Sequence, residues 1–177
     1  EVGVMMRDPD VDVLLVLGFV ASQRFCCRFD VRKPVVAAFV LDHEVQNLPK
    51  EGAGTGRPFL NYVASPAPIE SDLRVFRDLS GFDKLTVLIG QPFIDSVPDL
   101  EKHFLAAVKS LKLEIRIVPV ELSADDVLAA LKPSTQAVYL GPLLNLPPSE
   151  FNKLVDGLKA RNLPSFSLTG CTEMNTR

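Results

Sequence analysis

The sequence predicts an α/β chain built as two lobes, each a parallel sheet flanked by helices. Three observations carry this. Short apolar runs recur and several end in glycine; amphipathic segments of about ten to fifteen residues separate them; and a proline-stiffened break, Ser65-Pro66-Ala67-Pro68, divides two such series.

The first series opens with Val2–Arg7, which resembles the end of a helix. Val11–Leu17 is an apolar run, broken only by Asp12, between Asp8-Pro9-Asp10 and Gly18, the pattern of a strand buried on both faces. Phe19–Phe29 reads as a short helix and Pro34–Leu41 as a second buried strand. Leu14–Leu17 and Val35–Phe39 are therefore expected in the sheet core. Asp42–Pro58 is polar and glycine-rich, hence a loop, and Leu60–Ala64 is a short third strand. Ile69–Leu79 is an amphipathic helix with Leu73, Phe76 and Leu79 on one side.

The second series begins with the strand Lys84–Ile89, closed by Gly90. Pro98–Leu111 is a helix with Pro98 in its first turn and Leu100, Phe104, Ala107, Val108 and Leu111 as its apolar stripe. Leu113–Val118 alternates like a strand. Ser123 caps a helix over Ala124–Leu131, with Asp125 and Asp126 in its favourable first turn. Gln136–Leu140 is a strand ending at Gly141-Pro142; Pro147–Arg161 is a helix with Phe151, Leu154, Val155 and Leu158 inward; Pro164–Leu168 is a last strand before Thr169-Gly170. The expected organisation is two Rossmann-like lobes, residues 1–66 and 67–177, the first truncated at its N-terminus.

Composition narrows the function. Apolar residues make up 47% of the 177, enough for a full core, and the net charge of −3 argues against nucleic acid as partner. No apolar run reaches the roughly 18 residues that span a bilayer. The three cysteines, Cys26, Cys27 and Cys171, form no disulfide framework; Cys26 and Cys27 fall in a helix, one of them facing the core. The chain begins at Glu1, as a processed or excised piece would.

Enzyme signatures fail individually. Gly52-x-Gly54-x-Gly56 follows a polar loop and runs into Arg57-Pro58, so it reads as a loop rather than a dinucleotide fingerprint. There is no phosphate-binding GxxxxGK[ST] and no GxSxG elbow. His103 sits mid-helix, and Asp42-His43-Glu44 has no partner cluster at ligand spacing, so neither a catalytic residue, a metal nor a cofactor is expected. Parallel sheets bind ligands beyond the carboxyl ends of their strands. Gly18, Phe19, Ser22, Ser65, Gln91, Phe93, Asn145 and Thr169 fall there: small, hydroxyl, amide and aromatic groups that suit hydrogen bonding and stacking, not bond breaking. Phe19 and Phe93 have two readings, stacking on a ligand or packing against the next helix.

Four stretches resemble the ABC-type substrate-binding proteins of the periplasmic-binding-protein type I fold, closest to the family whose studied members recognise aromatic amino acids. Asp10-Val11-Asp12-Val13 through Gly18 to Ala21-Ser22 is similar to that family's D-V-I-x-x-x-G-T-x-A, with Phe19 where the family has threonine. Lys33-Pro34-Val35-Val36 resembles its K-x-x-P-V-V-F strand, and Phe82–Gly90 the strand that opens its second lobe. Asp126 through Val138-Tyr139-Leu140 to Leu163-Pro164-Ser165-Phe166 resembles its D-A-I-Y-x-P…L-P-V-F passage. The resemblance implies a solute-binding component of an ABC importer, periplasmic or otherwise extracytoplasmic, and the middle of a longer protein. It implies capture of a small molecule in an interlobe cleft by closure about a hinge at Ser65–Pro68, without chemistry, and reading of the closed form by a membrane permease. Helix N-termini at Ala21-Ser22 and near Pro92 would point backbone N–H groups at a carboxylate, with Ser22, Ser65, Gln91, Asn145 and Thr169 as further hydrogen-bonding groups. The alternative is a sensor or partner-docking module on the same fold.

Overall fold

A computed structural model describes residues 2–28, 30–65 and 67–168. The chain divides into two compact units, Glu1–Ile69 with Ser96–Ala107, and Glu70–Asp95 with Val108–Arg177. The first division along the chain falls between Ile69 and Glu70. Segment 96–107, expected in the second lobe, groups with the first unit. An apolar stripe tells which side of a helix is covered, not by which body.

The first unit contains helix α1 (Val2–Met5), strand β1 (Leu14–Val16), helix α2 (Phe19–Cys26), strands β2 (Val35–Val40) and β3 (Leu60–Ala64), and helix α5 (Leu100–Ala107). The sheet order is β1-β2-β3, all parallel. Val16, Val35, Ala37, Val40 and Leu60 form its core with Cys26 of α2 and Met6.

The other face of this sheet departs from expectation. Leu15 lies opposite Val36, which lies opposite Asn61, so Leu15, Leu17 and Val63 share that face. Leu15 and Leu17 are each 64% exposed, and Val63 is also exposed. The run Val11–Leu17 is thus buried on one face only. All-parallel sheets are usually covered on both, and an apolar run does not reveal whether a second cover exists. Phe39, expected in the core, is 44% exposed. The register slips between Ala37 and Val40, so the alternation that buries Val35 and Ala37 buries Val40 in turn and leaves Phe39 outside.

The second unit holds helix α3, whose Ile69–Ser80 span starts at the unit boundary, strand β4 (Lys84–Gly90), helix α4 (Gln91–Ser96), strand β5 (Glu114–Val120), helix α6 (Ala124–Ala130), strand β6 (Ala137–Leu140), helix α7 (Pro148–Ala160) and strand β7 (Ser165–Ser167). Its sheet is parallel in the order β5-β4-β6-β7. Consecutive strands β4 and β5 lie to one side and β6 and β7 to the other, so the order reverses between β4 and β6. That makes this a doubly wound, Rossmann-like unit. Leu88, Val118, Val138 and Leu140 pack with Val127 of α6 and with Phe151, Leu154 and Leu158 of α7. An aromatic layer covers the other face: Tyr139 stacks on Phe166 at 5.8 Å, and Phe76 of α3 meets both Phe166 and Phe82. Leu79 is not part of it; it is 81% exposed, and Leu73 and Phe76 carry the buried face of α3.

Helix boundaries follow capping and backbone constraints. Ser123 Oγ accepts the Asp126 N–H, as its position predicts. The expected helix from Pro98 starts instead at Leu100, after Asp99 in the left-handed region (φ 54°), and gives way to a 3-10 turn at Lys109–Leu111. Helix α4 begins at Gln91, beside the Pro92 at which the resemblance implies a helix N-terminus, and Pro92 fits its first turn. Along β5, Glu114 N–H reaches Asp83 O, so the amides of Ile115 and Ile117, and the missing one of Pro119, fall on the open side. Pro119 thus guards the edge strand against pairing. Among the described residues, no helix is long and apolar enough to cross a membrane.

Candidate functional site

At the carboxyl edge of the first sheet, β1 passes into α2 through Gly18, whose φ of 103° strains any side chain. Gly18 gives the first turn of α2 no side-chain acceptor. Phe19 begins the helix, and its ring meets Phe39 edge-on at 5.4 Å with an interplanar angle of 65°. The half-buried Phe19 and the exposed Phe39 form an aromatic ledge above the strand ends. Ser65 is exposed, and its N–H bonds to Val40 O at 2.9 Å. Phe39 is the site residue that the sequence reading missed. The slipped register exposes it, and nothing in Pro34–Leu41 signals a bulge.

Beneath the ledge lies a buried polar network. Ser22 Oγ accepts the Phe39 N–H at 3.3 Å and donates to Val16 O at 3.5 Å, so this fully buried hydroxyl ties α2 to β1 and β2. Gln23 and Gln46 are tied twice: Gln46 Nε2 donates to Gln23 Oε1 at 2.9 Å, and Gln23 Nε2 donates to the backbone carbonyl of Gln46 at 3.0 Å. Gln46 Oε1 accepts the N–H groups of Leu41 and Asp42. The Asp42 carboxylate accepts three backbone N–H groups, those of Glu44, Val45 and Ile69. A buried polar cluster is tolerable when its members are partnered. This one fastens the loop after β2 and sets the backbone of the ledge.

Arg57, from the glycine-rich loop, donates to Cys26 O and Arg28 O and so closes the C-terminal end of α2. Cys26 is the core-facing cysteine; burial, then the neighbouring Cys27, push its thiol up to about 11 despite Arg57. Burial also raises the Cys27 thiol. Both stay protonated and weakly nucleophilic near neutrality. Among the described residues, no three His, Cys, Asp or Glu gather as they would around a metal.

The carboxyl edge of the second sheet is closed by its own loop. Gly90 N–H bonds to Pro142 O at 2.9 Å, and Gly141 N–H to Leu88 O at 2.8 Å. Asn145 Nδ2 donates to Val120 O at 2.8 Å and to Glu121 O, spanning from the loop after β6 to the end of β5. Its Oδ1 lies over Gly90, where a Cβ would collide with it and sit 2.8 Å from Pro142 O. Asn145 therefore fills the point where the strand order reverses, and both its amide hydrogens are engaged. Gln91 Nε2 donates to Asp95 at 2.6 Å, and Phe93 is buried. Thr169 lies outside the described residues, as do Cys171 and, within the hinge segment, Pro66. The structure thus brings Gly18, Phe19, Ser22 and Ser65 to the edge of one sheet, and Gln91, Phe93 and Asn145 to that of the other.

No family model and no curated protein matches the chain. Among solved structures it is similar to a crystal structure described as the ABC domain in complex with L-Trp from Streptococcus pneumonia, with a TM-score of 0.60 and 16% identity. The match covers 90% of this chain and 54% of that one, so the chain spans about half the length of the protein it matches. The likeness is one of fold: parallel sheets flanked by helices.

Proposed function

We propose that the chain is the solute-binding part of an ABC-type import system, which holds a small molecule carrying an aromatic ring and a carboxylate without transforming it. The observation that carries this reading is the exposed Phe39, paired edge-on with the half-buried Phe19, beside the uncapped start of α2 at the carboxyl edge of a parallel sheet. A ligand ring packs against Phe39, with about 1 kcal/mol beyond area burial for each favourable ring pair. The ligand carboxylate lies against the first turn of α2, where N–H groups and the helix dipole favour an anion. The fold shared with a protein described in complex with L-Trp supports an aromatic amino acid as the first ligand to try. On this reading the loaded protein is recognised by a membrane permease outside the cytoplasm.

A thermal-shift series with the common amino acids and small organic anions tests the proposal. Ligand at a hundredfold excess over its dissociation constant adds about 2.7 kcal/mol to stability, or roughly 5–10 °C for a chain of this size. Failure of every compound to raise the midpoint would overturn the reading.

The exposed Leu15, Leu17 and Val63 face favours a second reading, a docking module on the same scaffold. That reading predicts concentration-dependent association and no ligand.

A further inference from the structure

We propose a second binding site, for a phosphate dianion, in a cavity of about 290 Å³ at the amino edge of the second sheet. It lies at the opposite end of β4 from Gly90 and is independent of the solute reading. Lys84, Arg116 and Lys132 line it together with the hydroxyls of Thr86, Ser134 and Thr135. The chain carries a net charge of −3, yet these three cations are opposed in the lining by Glu114 alone. A local excess of two positive charges matches a doubly charged oxyanion.

The donors are available. Glu114 holds Lys84 only at 3.4 Å. Arg116 Nη1 donates to Ala130 O at 2.8 Å, which commits one of a guanidinium's five N–H groups. The side chains of Lys132 and Ser134 make no hydrogen bond or ion pair among the described residues. Thr86 and Thr135 share one hydrogen bond between their hydroxyls at 3.0 Å. Two hydroxyl hydrogens serve that single bond, so one remains to be donated, although Thr86 is only 3% exposed.

The walls are fixed as well. Thr135 N–H bonds to Lys132 O at 3.0 Å and Gln136 N–H to Lys84 O at 3.2 Å. The Gln136 side chain accepts the N–H groups of Asp83 and Lys84, both at 2.9 Å. The turn at residues 132–135 is thereby stitched to the start of β4, so its backbone needs little ordering to meet a ligand. The volume exceeds that of a bare phosphate and leaves room for a small ester.

The test is titration with inorganic phosphate at constant ionic strength, read by amide chemical shifts, with chloride and acetate as controls. Glycerol 3-phosphate, run in parallel, distinguishes a free ion from an ester. The expected result is saturable movement of the Lys132, Ser134 and Thr135 amides with one of the two phosphates and with neither control. Lys132→Gln and Lys84→Gln should each weaken binding about tenfold, the loss of one charge-assisted contact. Both side chains are exposed, so both variants keep the fold. Lys102→Gln, on α5, should leave the affinity unchanged. Non-saturable shifts, or equal weakening by Lys102→Gln, would overturn the site.

Discussion

Replacing Asn145 by alanine removes two hydrogen bonds at once, to Val120 O and Glu121 O. At about 1 kcal/mol net for each, the loss comes to about 2 kcal/mol. For a chain of this length that lowers the midpoint by about 4–8 °C. Asn145→Asp should cost more, because a carboxylate then faces two carbonyl oxygens with nothing to donate. Gly90→Ala should also destabilise, since its Cβ meets Asn145 Oδ1 and Pro142 O. Its cost should be smaller in the Asn145→Ala background, where one collision partner is gone, and a double-mutant cycle measures that coupling. The assay is urea unfolding followed by circular dichroism, with the slope unchanged and the midpoint moved. A cost below about 0.3 kcal/mol for Asn145→Ala would refute the argument that this side chain clamps the edge of the sheet.

Four further outcomes follow from the packing. Asp42→Ala strips the acceptor from three backbone N–H groups and should cost about 3 kcal/mol in urea unfolding, whereas Asp42→Asn, whose Oδ1 still accepts from Glu44 and Val45, should lose chiefly the Ile69 bond, about 1 kcal/mol. Gly157→Ala should destabilise α7 although alanine favours helices, because the new methyl meets the Leu128 side chain; a rise in midpoint would show that Leu128 yields freely. Cys26 has its thiol raised from 9.0 to about 11, so its contribution to stability is intact below pH 9 and is lost as pH climbs towards 11. Its check is unfolding from pH 8 to 11 in a Cys171→Ser chain, against the same chain with Cys26→Ala. Leu15→Lys, on the exposed face of β1, should change stability by less than about 0.5 kcal/mol and, on the docking-module reading alone, reduce self-association in sedimentation velocity.

Most of the fold was legible because its signals are local. Glycine after Leu17 and Ile89, Ser123 at a cap, and the 3.6-residue stripe of Phe151, Leu154 and Leu158 each mark an element by chemistry within a few residues. What was not legible depends on distant partners. The slip between Ala37 and Val40 is set by pairing with β3, and it turns Phe39 from core into ledge. The exposure of Leu15 depends on what else covers the sheet. Ser22 and Asn145 stand out in the sequence as hydrogen-bonding groups just beyond strand ends. Whether such a group faces a ligand or ties down a carbonyl depends on backbone brought in from elsewhere: Val16 and Phe39 for the one, Val120 and Glu121 for the other. The Gln23–Gln46 tie spans a loop whose composition marks it only as polar.

The most direct test uses a property of the composition. The chain contains no tryptophan, so the indole emission of added L-Trp, excited beyond tyrosine absorption, reports the ligand alone. Titrating the protein into a fixed amount of L-Trp, the account predicts a saturable rise in emission anisotropy, one ligand per chain. It predicts that Phe39→Ser weakens that rise at least tenfold while Phe93→Leu, in the core, leaves it in place, and that the L-Trp is recovered unchanged. Anisotropy that stays flat for L-Trp, and for competing aromatic amino acids added in its place with a tracer, would contradict the account.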